Sequence, residues 1–184
     1  QVSGIESNDI ASLTTAQLGA LSNAQIDALG TTQLTQLSTR QLAALESADF
    51  AALSSAQITS LATAQLAAIT SAQAAAFETA DLAALRTDQI GALNTAAVDA
   101  LSSAQIEALS PTQVAAMSTA QLARLDSITP TQLAALTTAQ VASLGQAYGA
   151  TLTTADVAAM STAQLQLLST GAISGLDSAD IAAL

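Results

Sequence analysis

The sequence contains no cysteine, histidine, lysine or tryptophan, and its aromatic residues are two phenylalanines and one tyrosine. Without cysteine the chain forms no disulfide and offers neither a thiolate nucleophile nor a sulfur ligand for a metal. Without histidine it lacks the commonest general base and metal ligand. We therefore expect no enzyme, no cofactor and no metal centre built from these residue types.

Positive charge is also scarce. Fourteen acidic residues face only Arg40, Arg86 and Arg124, so the formal net charge is −11. Proteins that bind nucleic acid or anionic membrane surfaces use Lys and Arg to neutralise phosphates, so neither partner is expected. Ser, Thr or Gln interrupts every apolar stretch well before the 18 residues of a membrane span, and no membrane insertion is expected.

An eight-residue repeat fills the chain. Leu or a close substitute recurs at every eighth residue from Leu13 to Leu125, and again from Leu136 to Leu184. Counting that residue as position 8, 22 whole octads follow the consensus [ST]-[ST]-A-Q-L-A-A-L, interrupted by the three residues 126–128. The sequence thus predicts a single repeat array over residues 1–184, irregular at 126–128 and 145–152.

The apolar residues stand at positions 5 and 8, so their spacing alternates between three and five. A strand requires strict alternation, and in one continuous helix the apolar stripe would turn by about 80° per octad. A helix broken once per octad keeps both positions on one face. We predict an all-α solenoid of about 22 very short helices, each about six or seven residues long. The alternative is a parallel β-helix, which Ala-rich octads disfavour.

Proline marks where each helix begins. Pro111 and Pro130 both occupy position 2, and proline is favoured at the first helical residue, which makes position 1 the N-cap. Position 1 is Ser or Thr in 13 octads, and position 4 is Gln in 14 and Asp in five, as a capping box requires. Position 6 admits Asp27, Asp99 and Glu107, so we expect it to face solvent while positions 5 and 8 are buried.

Two departures from the consensus are candidates for recognition. One is the insertion Asp126-Ser127-Ile128, and the other is residues 145–152, which carry the one Tyr of the chain. The first interpretation is repeat decay or a kink in the solenoid. The alternative is a recognition patch formed by Tyr148, Gln146 and Asp126. No residue is assigned a catalytic, cofactor-binding or metal-ligating role.

Octads such as STAQLARL at residues 118–125 resemble the octapeptide-repeat, low-complexity regions of large secreted or surface proteins of Gram-negative bacteria. These proteins are often labelled adhesin-like or haem-utilisation-like. The resemblance covers nearly the whole chain and transfers no functional residue. It implies an extracellular or cell-surface stalk or filament segment that spaces other domains or associates with itself.

Two functions remain open at this point. The first is a structural array without catalytic chemistry, an extracellular stalk, spacer or filament that continues end to end or belongs to a longer array. The second is recognition of a periodic surface, ice or polysaccharide, by rows of Ser and Thr at positions 1 and 2. The mixture of Ser, Thr, Asn, Glu and Gly at position 1 counts against ice.

Overall fold

The computed structural model describes residues 6–125, 127–144, 152–168, 170, 173, 176 and 178–182. Over these residues the regular secondary structure is helical and contains no strand. The predicted all-α solenoid is therefore confirmed, and the β-helix alternative is wrong. The backbone divides into two units, Gln1–Leu101 and Ser102–Leu184. The prediction of one array over residues 1–184 stays a prediction.

Every described helix is short. The first unit contains α1 to α12: Ser7–Ala11, Thr15–Leu18, Asn23–Asp27, Thr31–Gln36, Thr39–Ala43, Ser47–Ala51, Ser55–Ser60, Thr63–Leu66, Ser71–Ala75, Thr79–Ala84, Thr87–Ala92 and Thr95–Asp99. The second contains α13 to α20: Ser103–Glu107, Pro111–Ala115, Thr119–Leu122, Pro130–Ala134, Thr138–Ser143, Thr154–Ala159, Thr162–Leu165 and Ser178–Ala182.

The helices begin at the octad position that the sequence predicts, but they end before the predicted last residue. Position 1 is the N-cap, and both prolines lie in the first helical turn. The helices contain four to six residues rather than the predicted six or seven. The chain is extended again at position 8, as at Leu37 (ψ 132°), and stays extended at the next N-cap, Ser38 (ψ 157°). These two residues turn the corner, and the described backbone reaches no positive φ.

Helices stack with a fixed register inside each unit. In the first unit each helix from α1 to α9 packs on the third helix after it in the chain, as α1 does on α4 and α9 on α12. One turn of the solenoid therefore contains three octads. An isolated helix of five residues is unstable in water, so its stability comes from this stacking.

The three residues 126–128 replace a whole octad. In the second unit α14 packs on α16, and α15 on α17, so the partner is here the second helix along the chain. The first residues of these partners, Pro111 and Pro130, are 19 residues apart, whereas Pro130 and Thr154 in the next turn are 24 apart. Ile128 is buried and serves as position 8 of this shortened octad. The segment read as an insertion is thus the shortened third octad of a turn.

Positions 5 and 8 form the core as predicted, and position 6 faces solvent. Leu82 and Leu85 are 0% and 3% exposed, whereas Asp27, Asp99 and Glu107 are exposed. The burial weakens at the last described turn of the second unit, where the exposed large apolar side chains are Leu167, Ile173 and Ile181.

Candidate functional site

Buried polar side chains at position 4 are the most regular feature of the solenoid. Gln57 is 4% exposed, and its Oε1 accepts hydrogen bonds from the backbone N–H and the hydroxyl of Ser54, each at 2.7 Å. Its Nε2 donates to the carbonyl oxygens of Asp27 (2.9 Å) and Leu29 (2.7 Å) in the preceding turn. One amide therefore caps its own helix and bonds that helix to the turn beneath it.

The same arrangement recurs along both units. The second acceptor is always the residue just before the N-cap of the helix beneath, as Leu45 is for Gln73 and Leu136 is for Gln164. The capping role was predictable from the sequence. The bond between turns was missed, because it depends on three octads forming one turn. The same pair of bonds is made by Gln41, Gln65, Gln89, Gln132 and Gln140.

Where position 4 is aspartate, the buried side chain is hydrogen-bonded in a different way. An ionised carboxylate accepts hydrogen bonds and donates none. Asp81 accepts from the backbone N–H of Glu78 (3.0 Å) and from the hydroxyl of Ser55 in the preceding turn (2.6 Å). Asp180 likewise accepts from the hydroxyl of Thr154 at 2.9 Å. A position-2 hydroxyl thus supports the buried carboxylate above it.

Threonines at position 2, exposed except for the half-buried Thr15, line up on the outside of each unit. Helices α2, α5, α8 and α11 stack on one another in the first unit, and position 2 of all four is Thr. Helices α15, α17 and α19 do the same in the second unit. The two columns consist of Thr15, Thr39, Thr63 and Thr87, and of Thr119, Thr138 and Thr162.

The two threonine columns differ in charge. Arg40, Arg86 and Asp88 flank the first, and the Arg86 guanidinium binds the Asp88 carboxylate at 3.1 Å. That hydrogen bond lowers the pKa of Asp88, although both side chains are more than half exposed. The second column has only Ser or Thr at position 1 and Ala at position 3 on either side. The uniform column is therefore at position 2, not at the mixed position 1.

An apolar cleft of about 250 Å³ lies at the last described turn of the second unit. A wider and more polar cleft of about 440 Å³ lies at the first turns of the first unit, where Arg40 and Gln41 form part of its wall. The apolar cleft is lined by Thr162, Leu165, Gln166, Leu168, Ile173, Leu176 and Ile181.

The predicted recognition patch is untested, because Tyr148, Gln146 and Asp126 lie outside the described residues. Among the residues that the structure covers, no three His, Cys, Asp or Glu side chains gather as a metal site. In the same part of the chain, no helix combines the length and the apolar character of a membrane span.

Comparison with known families gives one match. The sequence model described as the ALTTAQ repeat matches residues 2–39, 42–77, 74–111 and 149–184, more than three quarters of the chain. The matched segments leave out residues 112–148, where the shortened octad lies. No curated protein and no solved structure matches the chain.

Proposed function

The chain belongs to the ALTTAQ repeat family, and on that premise we propose that it is a structural array, an extracellular stalk or filament segment without catalytic chemistry. The ladder of position-4 amides carries this proposal. Because the same bonds join successive turns within each unit, a further turn can be added without any change in local structure. Solenoids of this kind gain stability from each added neighbour.

The outermost described turns of the two units present unlike surfaces. At the first turn of the first unit, Gln17 is exposed and Gln25 half-buried, although the same position in later turns is buried. At the last described turn of the second unit, Ile173 and Ile181 are about half exposed (48% and 52%). Contact between unlike surfaces forms an open chain unless the rotation closes a ring. We propose that such ends associate with further turns of the same repeat.

Sedimentation velocity and electron microscopy over a concentration series test this association. We expect the 184-residue chain to form particles that lengthen with concentration. Ile181→Glu places a charge on the apolar end and should shorten them. Ala120→Glu adds the same charge on the side of the solenoid, where Ala120 is exposed, and should leave them unchanged. A monomer at all concentrations contradicts end-to-end association.

The extracellular or cell-surface location is supported by the resemblance to surface repeat proteins. Labelling of intact cells with an antibody against the repeat, before and after permeabilisation, tests it. Labelling that requires permeabilisation contradicts the extracellular or cell-surface location, but it does not contradict the structural role.

A second candidate function is recognition of a periodic surface, polysaccharide or ice. The neutral column Thr119, Thr138 and Thr162 favours it, since the same hydroxyl and methyl recur in successive turns. Thermal hysteresis and binding to insoluble polysaccharides are the assays. Thr138→Lys should abolish binding, whereas Thr63→Lys in the charged column should not. Equal effects of the two changes contradict a role for the neutral column.

A further inference from the structure

Two buried side-chain oxygens of the described residues have no hydrogen-bond partner, Ser127 Oγ and Asp156 Oδ1. Asp156 is 5% exposed, and its other oxygen, Oδ2, accepts from the backbone N–H (2.8 Å) and the hydroxyl (2.6 Å) of Thr153. A buried carboxylate oxygen without a donor is costly. Such an oxygen therefore requires an explanation in the residues beneath it.

Proline explains the missing donor. The hydroxyls beneath Asp81 and Asp180 belong to Ser55 and Thr154, each 26 residues earlier in the chain. The residue 26 positions before Asp156 is Pro130, which has no hydroxyl. Helix α16, which begins at Pro130, packs directly against the helix of Asp156.

The residue beneath the remaining buried aspartate of the described turns, Asp49, has a side-chain donor, although that donor bonds a backbone carbonyl. Asp49 accepts from the backbone N–H of Glu46 at 3.1 Å. The residue 26 positions earlier is Asn23, whose side-chain amide donates to the carbonyl of Ala48 at 3.3 Å. Pro130 is thus the one residue in this place, beneath a described buried aspartate, that has no side-chain donor.

The residue that carries the second orphaned oxygen, Ser127, lies in the turn beneath Asp156. A position-4 side chain meets the carbonyl of the residue that precedes the N-cap beneath it, as Gln140 meets Met117 and Gln164 meets Leu136. For Asp156 that residue is Ile128, which precedes the N-cap Thr129. Ser127 adjoins Ile128 in the shortened octad. By this register the Asp156 carboxylate faces the turn that carries the Ile128 carbonyl and the Ser127 hydroxyl, in the place where other turns have an amide.

We propose that Asp156, Ser127 and the Ile128 carbonyl bind a hard divalent cation of the calcium type. Carboxylate, carbonyl and hydroxyl oxygens are the ligands that calcium prefers, with water completing its coordination. The cation takes the place of the missing donor: it neutralises the buried carboxylate and joins two turns at the shortened octad. Three protein ligands with one charge correspond to the weak, near-millimolar affinity of extracellular calcium modules. The site does not depend on the proposed stalk function.

Thermal unfolding followed by circular dichroism tests the site in the full chain. Calcium chloride is raised from about 0.1 to about 10 mM, a range that brackets such affinities, and sodium chloride keeps the ionic strength constant. We expect Tm to rise by about 3 °C at ten times the dissociation constant. Calorimetric titration with calcium chloride should give one site per chain.

Matched variants locate the effect. Pro130→Ser restores the hydroxyl found beneath Asp81, and Asp156→Asn removes the charge, so both should abolish the calcium-dependent rise in Tm. Pro111→Ser is the control, because it lies beneath Gln132, whose amide is already bonded to Ile106 (2.9 Å) and Leu109 (2.6 Å). This control should keep the full rise.

Two results would overturn the proposal. The first is a wild-type Tm that calcium raises no more than sodium does at equal ionic strength, which means that a buried water suffices. The second is an equal rise in the wild type, Pro130→Ser and Asp156→Asn, which places calcium on the acidic surface instead. Asp81→Asn is the control for Asp156→Asn, because it removes a buried carboxylate that already has its donor and should leave the rise in Tm intact.

Discussion

The side-chain amide of Gln57 donates a hydrogen bond of 2.7 Å to the carbonyl oxygen of Leu29, 28 residues earlier in the chain. This bond replaces the backbone ladder of a β-solenoid, because the short helices use their own backbone groups internally. Each buried Gln that makes this pair of bonds accepts from the backbone N–H of its own N-cap residue and donates to two carbonyls of the turn beneath. Removing the N–H donors of the amide should therefore weaken the contact between turns and leave the cap of the helix intact.

Gln73→Glu tests that conclusion. Gln73 is fully buried and donates to the carbonyls of Leu42 (2.9 Å) and Leu45 (2.8 Å). The glutamate keeps the capping acceptor and loses both donors, so we expect a loss of about 2–5 kcal/mol in unfolding free energy at pH 7. The loss should be smaller near pH 3, because a protonated carboxyl can donate one bond. Urea denaturation at both pH values measures it.

Gln17→Glu is the matched control for Gln73→Glu. Gln17 is exposed in the first complete turn, and its Oε1 accepts from the backbone N–H of Thr14 at 2.8 Å. A carboxylate keeps this bond and suits the positive end of the helix. Its unfolding free energy should stay within about 0.5 kcal/mol of the wild type. A loss as large as that of Gln73→Glu would show that the hydrogen bonds between turns are not the cause of the Gln73→Glu loss.

The sequence predicted the local structure of each octad more fully than the contacts between octads. Pro111 and Pro130 located the helix start, and the Gln at position 4 identified the capping partner, because caps are formed by residues three or four apart. The bond from Gln57 to Leu29 required the number of octads per turn, which no single octad encodes. The shortened octad that ends at Ile128 was interpreted as an insertion, because the sequence does not show how many octads form one turn. The orphaned Asp156 becomes visible only when Pro130 is known to lie beneath it.

Leu85→Ala and Asp99→Ala compare the two faces of the helices. Leu85 is 3% exposed in the core, whereas Asp99 is exposed at position 6. Truncating the leucine leaves a cavity and should cost about 2–5 kcal/mol, while the aspartate change should stay within about 0.5 kcal/mol. Chemical denaturation measures both. Equal losses of unfolding free energy would show that position 8 is not buried, or position 6 not exposed, as the structure has them.

Phe50 and Ala74 form a large and small pair at position 5 in two stacked helices, α6 and α9. Both are buried, at 1% and 0% exposure, and the Phe50 ring also meets that of Phe77 edge to face at 5.5 Å between centroids. Ala74→Leu alone should overpack this column and cost about 1–3 kcal/mol. Adding Phe50→Leu should recover part of that loss. Strictly additive effects in the double-mutant cycle would show that the two positions do not share the space.

Asn94 and Ala97 exchange the roles of positions 1 and 4. Asn94 Oδ1 accepts from the backbone N–H of Ala97 (2.8 Å), and its Nδ2 donates to the carbonyls of Ala67 (3.1 Å) and Ile69 (2.8 Å). An asparagine N-cap thus supplies the amide that Ala97 cannot. Asn94→Ser keeps a good cap but removes both donors, so we expect a loss of about 1–3 kcal/mol.

The compensating change is Ala97→Gln in the Asn94→Ser background, which rebuilds the consensus octad. An amide at either position 1 or position 4 should stabilise the contact between turns equally well. The double variant should then regain the wild-type unfolding free energy to within about 1 kcal/mol. Ala97→Gln alone should destabilise, because two amides then compete for the same carbonyls in a buried site. Denaturant titration of the four proteins measures the coupling. A double variant no more stable than Asn94→Ser would show that the bond between turns contributes little here.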